Sequence, residues 1–203
     1  MLQTRCPLRK KSRRHRSLFR EVVILALALL VSGFFIRTGL TEFYRRSYPL
    51  KYSDLVEKVC TEKGLEPALI YAVIRTESSF NPQAVGPVAT IDARGLMQVT
   101  SDAFDWVRMR QGQKPMDPEM LFEPEVNIDC GSEMLRMFLD EFDFVENALC
   151  AYHAGRTNAM KWLADPEYAP DGKIITNIPF GDTAAYVHKV CKTMEIYQEL
   201  YDM

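Results

Sequence analysis

An all-α body behind a single apolar N-terminal segment is the fold class this sequence predicts. Three observations carry it. Apolar residues recur at helical spacing through most of residues 52–203, no stretch sustains period-two alternation, and Pro and Gly interrupt the periodic runs at helix-length intervals. With 203 residues, 47% hydrophobic and 26% charged, the chain has the profile of a folded protein with one main domain. It shows no internal repeat and no low-complexity segment.

The N-terminal segment comes first. Residues 1–20 hold eight of the 25 Lys+Arg and no acid, which leaves 17 basic against 27 acidic residues beyond them, a net of −10. The overall charge of −2 therefore joins a basic tail to an acidic body. Val22 to Ile36 follow without a charge, and Leu18 and Phe19 extend the run while Arg20 and Arg37 can snorkel. A transmembrane or signal-anchor helix over residues 21–40 is the preferred reading. A signal peptide cleaved near Val31-Ser32-Gly33 is the other. Basic residues crowd only the N-terminal side, so residues 1–20 are expected in the cytoplasm and the body outside, on a single-pass membrane protein. The adjoining apolar run argues against a nucleic-acid-binding arm. Residues 41–51 read as a linker and 52–203 as the main domain.

Within that domain, Ser53 reads as the cap of a helix through Leu55, Val56, Val59 and Cys60 that ends at Gly64. Pro67 opens the next, with Ala68, Leu69, Ile70, Ala72 and Val73 on it, and Pro82 cannot continue it. Residues 81–95 should be irregular. Ser101 can cap a helix carrying Phe104, Trp106 and Val107, and the chain breaks again from Gly112 to Pro118. Pro124 to about Phe144 gives a long amphipathic helix, followed by helices over 146–153 and 157–164. A Pro- and Gly-rich loop, 165–181, leads to a last helix with Asp182 as its cap. The body holds about seven helices.

Glu77 lies in the last turn of the Pro67 helix, among apolar neighbours. Both the negative end of the helix dipole and the apolar surroundings disfavour its charged form, which suits a general acid. The plainer alternative is a carboxylate that points into water. Five cysteines accompany it. Cys6 falls beside the membrane, where palmitoylation is conceivable. Cys60, Cys130, Cys150 and Cys191 allow three full disulfide pairings, or are simply small buried hydrophobes. There is no CxxC and only three histidines, so neither a metal site nor a cofactor is expected.

Four blocks then stand in order: Glu77-Ser78-Ser79-Phe80-Asn81-Pro82, Gly95-Leu96-Met97-Gln98, Ala151-Tyr152-His153-Ala154-Gly155, and Ile178-Pro179-Phe180 leading to Asp182-Thr183 and Tyr186-Val187. Over roughly residues 52–200 they resemble the soluble-type (SLT) lytic transglycosylases, whose catalytic domain has a goose-type lysozyme-like fold. The resemblance implies a substrate, the glycan strands of peptidoglycan, and a reaction that uses one carboxylate where glycosidases ordinarily use two. Glu77 would protonate the oxygen between N-acetylmuramic acid and N-acetylglucosamine. The muramic acetamide would stabilise the cation, and Glu77 would then take the proton of the 6-hydroxyl as it closes a 1,6-anhydro ring. Around it the resemblance implies Tyr152 and Tyr186 orienting the acid, Gln98 bonding the sugar and Met97 lying under a ring. Ser78 would cap or orient the Glu77 turn, with His153 and Asp182 also lining the site.

The departures from the family pattern are local. Its usual Ser-Pro-x-Gly-Ala is replaced by the longer Gly86-Pro87-Val88-Ala89-Thr90-Ile91-Asp92-Ala93-Arg94, with Thr90 or Asp92 as candidates for the missing serine. The usual Asn of AYNAG is His153, and the usual Glu before Thr183 is Asp182. Two rival readings stay open: a hydrolase of the same fold with Asp92 or Asp182 as base, and a non-catalytic glycan-binding scaffold in an envelope protein complex.

Overall fold

The structure, a computed structural model, describes residues 11–86 and 92–203, the side chains of 11–18 excepted. Cys6 with the rest of residues 1–10, and the loop tip 87–91 with Thr90, lie outside the described residues. The chain divides into two units between Ser47 and Tyr48.

The first unit is one helix, α1, Lys11–Ser47. It overruns the linker expected at 41–51. No proline occurs between Lys11 and Pro49, and the hydroxyls of Thr38, Thr41 and Ser47 fold back onto carbonyls one turn earlier, so the polar residues do not break it. The helix ends where the approach to Pro49 forbids α geometry. Its Phe19–Ser47 portion is long and apolar enough to cross a membrane.

The second unit, from Tyr48, is helical among its described residues, as the periodicity predicts. It comprises α2 (Ser53–Lys63), α3 (Pro67–Ser78), α4 (Ser101–Arg110), a 3₁₀ turn (Pro118–Phe122), α5 (Pro124–Glu141), α6 (Val145–Ala154), α7 (Arg156–Leu163) and α8 (Gly181–Tyr201). A two-strand hairpin, β1 (Ala93–Arg94) with β2 (Val99–Thr100), lies between α3 and α4, too short to register as alternation in the sequence. Three of the expected caps move by one or two residues. Tyr52, in a left-handed conformation, precedes α2, and Thr100 rather than Ser101 caps α4 by accepting the Ala103 N–H. Phe180 precedes α8, so Asp182 sits inside its first turn.

Helix α3 is the centre of this unit. Every residue from Ala68 to Ile74 is buried, which is why the run is apolar on all sides rather than on one face. It packs along α8, with Tyr71 stacked on Tyr197 at 5.3 Å between ring centroids. The Tyr197 and Tyr201 hydroxyls donate to the Pro49 and Tyr48 carbonyls and fasten the entering chain.

One polar residue in the core fixes the hairpin. Asn127 of α5, fully buried, accepts the Met97 N–H at 2.7 Å and donates to the Arg94 and Leu121 carbonyls at 2.8 and 2.7 Å. Gly95 is obligatory beside it. Its φ is +74°, and a Cβ there would lie 2.2 Å from the Leu121 oxygen and 2.3 Å from the Asn127 amide. Asn147 of α6 does the same for the loop before α8, bonding Ile175 N–H and Lys173 C=O.

The four cysteines of this unit are free thiols: Cys60, Cys130 and Cys150 are buried and Cys191 half-buried. Burial pushes them up, Cys60 and Cys191 to about 11 and Cys130 and Cys150 to about 12. They pack as small apolar groups and are protonated at neutral pH. Among the described residues no cluster of His, Cys, Asp and Glu could hold a metal ion.

Asn127→Ala removes the Asn127 partner of one carbonyl and one N–H of the hairpin and of the Leu121 carbonyl in the 3₁₀ turn. The helical unit should lose roughly 3 kcal/mol in urea unfolding. A loss below about 0.5 kcal/mol would mean the hairpin is held by other contacts.

Candidate active site

Glu77 stands in the last turn of α3, and the chain leaves it through two successive left-handed residues, Ser79 (φ 52°) and Phe80 (φ 65°). Non-glycine residues seldom adopt that geometry, and here it is held from both sides. Phe80 is buried against Tyr71, while Asn81 donates its N–H to Ser78 C=O and accepts the Gln83 N–H. Ser78 donates to the Ile74 carbonyl at 3.1 Å, tying down the same turn.

Burial is the largest influence on the Glu77 carboxyl and pushes its pKa up to about 7. The Tyr186 hydroxyl and, after it, the charge of Lys189 pull the other way, both from α8. They are outweighed, so half the carboxyls carry a proton near neutrality. The Tyr186 hydroxyl is itself buried and makes no hydrogen bond of standard geometry, yet it interacts with the Glu77 carboxyl. Burial, then the Glu77 charge, keep it protonated.

The other predicted residues sort by what they touch. Tyr152 of α6 lies in the field of Glu77, but its hydroxyl donates to the Met97 carbonyl at 2.8 Å and so braces the hairpin. Met97 cannot lie under a sugar as expected. Its side chain is fully buried and fills the space over Gly131 of α5, where a Cβ would meet its sulfur at 2.6 Å. Gln98, with φ 50°, donates its side-chain amide to the Ala84 and Gly95 carbonyls at 3.1 and 2.9 Å, which leaves only its carbonyl oxygen to a ligand. Asp182 is exposed in the first turn of α8 and accepts the Thr183 N–H. His153 bonds through Nδ1 to Thr183 Oγ1 at 3.0 Å and stacks on the Tyr186 ring at 4.4 Å. Burial pushes its pKa down, against the opposing charge of Asp182. Asp92, a candidate second carboxylate, is engaged on one oxygen by Arg94 and on the other by the Ser101 hydroxyl.

A cavity of about 450 Å³ opens beside Gln98, Tyr152 and His153 and extends to Trp106 and Arg156. A second hollow of about 320 Å³, between α2, α4 and α5, shares no residue with this site. Three contributors were not singled out from the sequence: Asn127, Lys189 and Thr183. Asn127 had a signal, a polar residue between Val126 and Ile128 on an apolar helix. Lys189 had one too, three residues after Tyr186 and so on the same face of α8.

The half-buried acid at the end of a central helix, with a small hairpin beside it, defines a lysozyme-like helical domain. The sequence profile of the family described as Transglycosylase SLT domain matches residues 54–175, and this chain belongs to that family. Among curated relatives, the soluble lytic murein transglycosylase of Salmonella typhimurium is 32% identical over 146 residues, 70% of this chain and 22% of that protein. The membrane-bound lytic murein transglycosylase C of Pectobacterium atrosepticum is 31% identical over 171 residues, 73% of this chain and 47% of that one. This chain thus spans less than half the length of either. Of solved structures, the 70 kDa soluble lytic transglycosylase of Escherichia coli aligns with a TM-score of 0.67 at 26% identity, over 77% of this chain and 25% of that one. An inactive mutant of lytic transglycosylase Slt from Pseudomonas aeruginosa gives 0.65 at 28%, over 75% and 24%.

The raised Glu77 pKa has a sign that can be tested without substrate. The folded state binds this proton more tightly than the unfolded chain, so its contribution to stability is full below about pH 4.5 and is lost as pH rises through about 7. Glu77→Gln removes the buried charge, so it should stabilise the protein at pH 8 by up to about 3 kcal/mol and far less at pH 5. Thermal unfolding at the two pH values reads the difference. An equal effect at both would contradict a desolvated acid.

Proposed function

We propose that this protein is a peptidoglycan lytic transglycosylase in which Glu77 is the only catalytic carboxylate. The observation that carries the reading is the desolvated Glu77 side chain, poised to about 7 beside the buried Tyr186 hydroxyl, in a chain of the SLT family. A group that must give a proton and then take one works best with a pKa near the working pH.

In the first step Glu77 gives its proton to the glycosidic oxygen between N-acetylmuramic acid and N-acetylglucosamine. The C1–O bond breaks, and the muramic acetamide oxygen closes on C1 as an oxazolinium. In the second, the Glu77 carboxylate takes the proton of the 6-hydroxyl. O6 attacks C1, the acetamide oxygen leaves, and a 1,6-anhydro end results with Glu77 protonated again. No water is consumed. A hydrolase would need a second carboxylate or a base for water. Of the two candidates, Asp92 is occupied on both oxygens and Asp182 lies exposed in the first turn of α8.

The protein is further read as a membrane-anchored enzyme. The α1 portion Phe19–Ser47 supports this by length and composition, and the Lys and Arg of residues 1–20 support a cytoplasmic N-terminus with the helical unit outside.

The test is mass spectrometry of muropeptides released from purified sacculi by the full chain in detergent. Wild type should release 1,6-anhydro products, and Glu77→Gln should lower the rate by about 10²–10⁴. Reducing-end products would make it a hydrolase. Binding without release by wild type would make it a scaffold.

A further inference from the structure

We infer that His153, exposed on its cavity side, is a positioning residue: it clamps the ring of Tyr186 so that the phenol faces the Glu77 carboxyl. The inference rests on the reading of Glu77 as the catalytic acid.

Three observations converge on it. The imidazole stacks on the Tyr186 ring at 4.4 Å with 27° between planes, closer than any other ring pair described in the protein. Its Nδ1 is tied at 3.0 Å to Thr183 Oγ1, one helical turn before Tyr186 on the same face of α8. Two neighbouring α8 side chains thus hold one α6 ring, and the ring cannot slide without losing the bond or the stack. The third observation is the Tyr186 hydroxyl, buried with no standard hydrogen bond to fix it. Its contact with the Glu77 carboxyl falls short of a standard hydrogen bond, so the ring plane does much of the aiming, and one face of that ring is covered by His153.

The consequence reaches Glu77 through Tyr186. The hydroxyl favours the carboxylate form and partly offsets the effect of burial. A phenol that swings away withdraws that help and leaves Glu77 harder to ionise. The charged and titratable groups around the clamp are Asp182 and Tyr186 on α8, Tyr152 on α6, Glu77 on α3 and, beyond it, Lys189 on α8. Asp102 of α4 and Arg156 of α7 line the cavity that His153 shares. An asparagine at this position, as in the family pattern, could make the hydrogen bond to Thr183 but has no ring to stack. This chain has exchanged an amide for an aromatic clamp.

The experiment follows the Glu77 carboxyl by ¹³C NMR titration of the full chain in detergent, together with kcat and KM on sacculus-derived glycan. His153→Ala should move the Glu77 midpoint upward by about half a unit or more, a threefold change in proton affinity. It should lower kcat about tenfold with KM within about twofold, because the lost interaction serves the transition state and not binding. His153→Phe, which restores the stack without the bond, should recover most of the midpoint and most of kcat. If His153→Ala does not fold, Thr183→Val cuts the tie alone and should move the midpoint in the same direction. An unchanged midpoint in these variants overturns the inference, as does a rise in KM alone, which would put His153 on the glycan. The titration stands apart from catalysis: if wild type proves inert on every glycan, the lytic transglycosylase reading fails while the midpoint still decides the clamp.

Discussion

The site depends on a buried asparagine. Asn127 uses every hydrogen-bonding direction its amide can easily offer to hold the β1–β2 hairpin against α5. With that turn fixed, the Met97 carbonyl is where the Tyr152 hydroxyl can reach it, and the Gln98 amide can staple Gly95 to Ala84. Gly95 follows from the same constraint, since no side chain fits between its Cα and the Asn127 amide. Buried polar networks of this kind specify one arrangement, because any other leaves donors and acceptors unpaired in a low-dielectric core. In this case the arrangement is the wall of the candidate active site.

Glu77 is the complementary case, a polar group whose burial is left uncompensated. A carboxyl that met an arginine or several backbone N–H groups would ionise readily and make a poor acid. Its counterweights here are a phenol with no standard bond and an exposed lysine on α8, and burial outweighs both. The left-handed pair Ser79–Phe80, held by the packing of Phe80 and the turn at Asn81, adds conformational strain next to this group. Both features cost stability, and a site under functional constraint is where such costs persist.

Much of the architecture was legible from pattern alone. The helix from Pro67 to Ser78, the long helix from Pro124 and the stop at Gly155 lie where proline, glycine and apolar spacing put them. The four motif blocks marked the family, and Glu77, Tyr152, His153 and Tyr186 do gather around one site. What pattern missed is instructive. Ser53, Ser101 and Asp182 are cap residues by type, whereas the starts fall at Tyr52, at Thr100, which caps through its hydroxyl, and at Phe180. The linker expected at 41–51 is shorter than its polar residues suggest, because hydroxyl residues in α1 satisfy themselves on the helix backbone. Met97 reads as a substrate contact because a Gly-Leu-Met-Gln turn has no visible packing partner in sequence, and that partner is Gly131 of α5; Gln98 keeps its carbonyl oxygen for a ligand but spends its amide on the Ala84 and Gly95 carbonyls.

The sequence by itself determined the helical class, the apolar N-terminal segment, the order of elements and the place of Glu77 in the last turn of α3. These rest on short-range chemistry: the 3.6-residue period, the fixed φ of proline, and the residue types that a family motif brings within a few positions of each other. Tertiary structure alone decided how strongly Glu77 is desolvated, that the cysteines remain free thiols in the core, and that Met97 faces inward. It also decided that His153, exposed on its cavity side, stacks on Tyr186. The reason is that burial, hydrogen-bond satisfaction and ring stacking are properties of residues far apart in the chain. Asn127 and Met97, or His153 and Thr183, become partners only when α5, α6 and α8 have packed around α3.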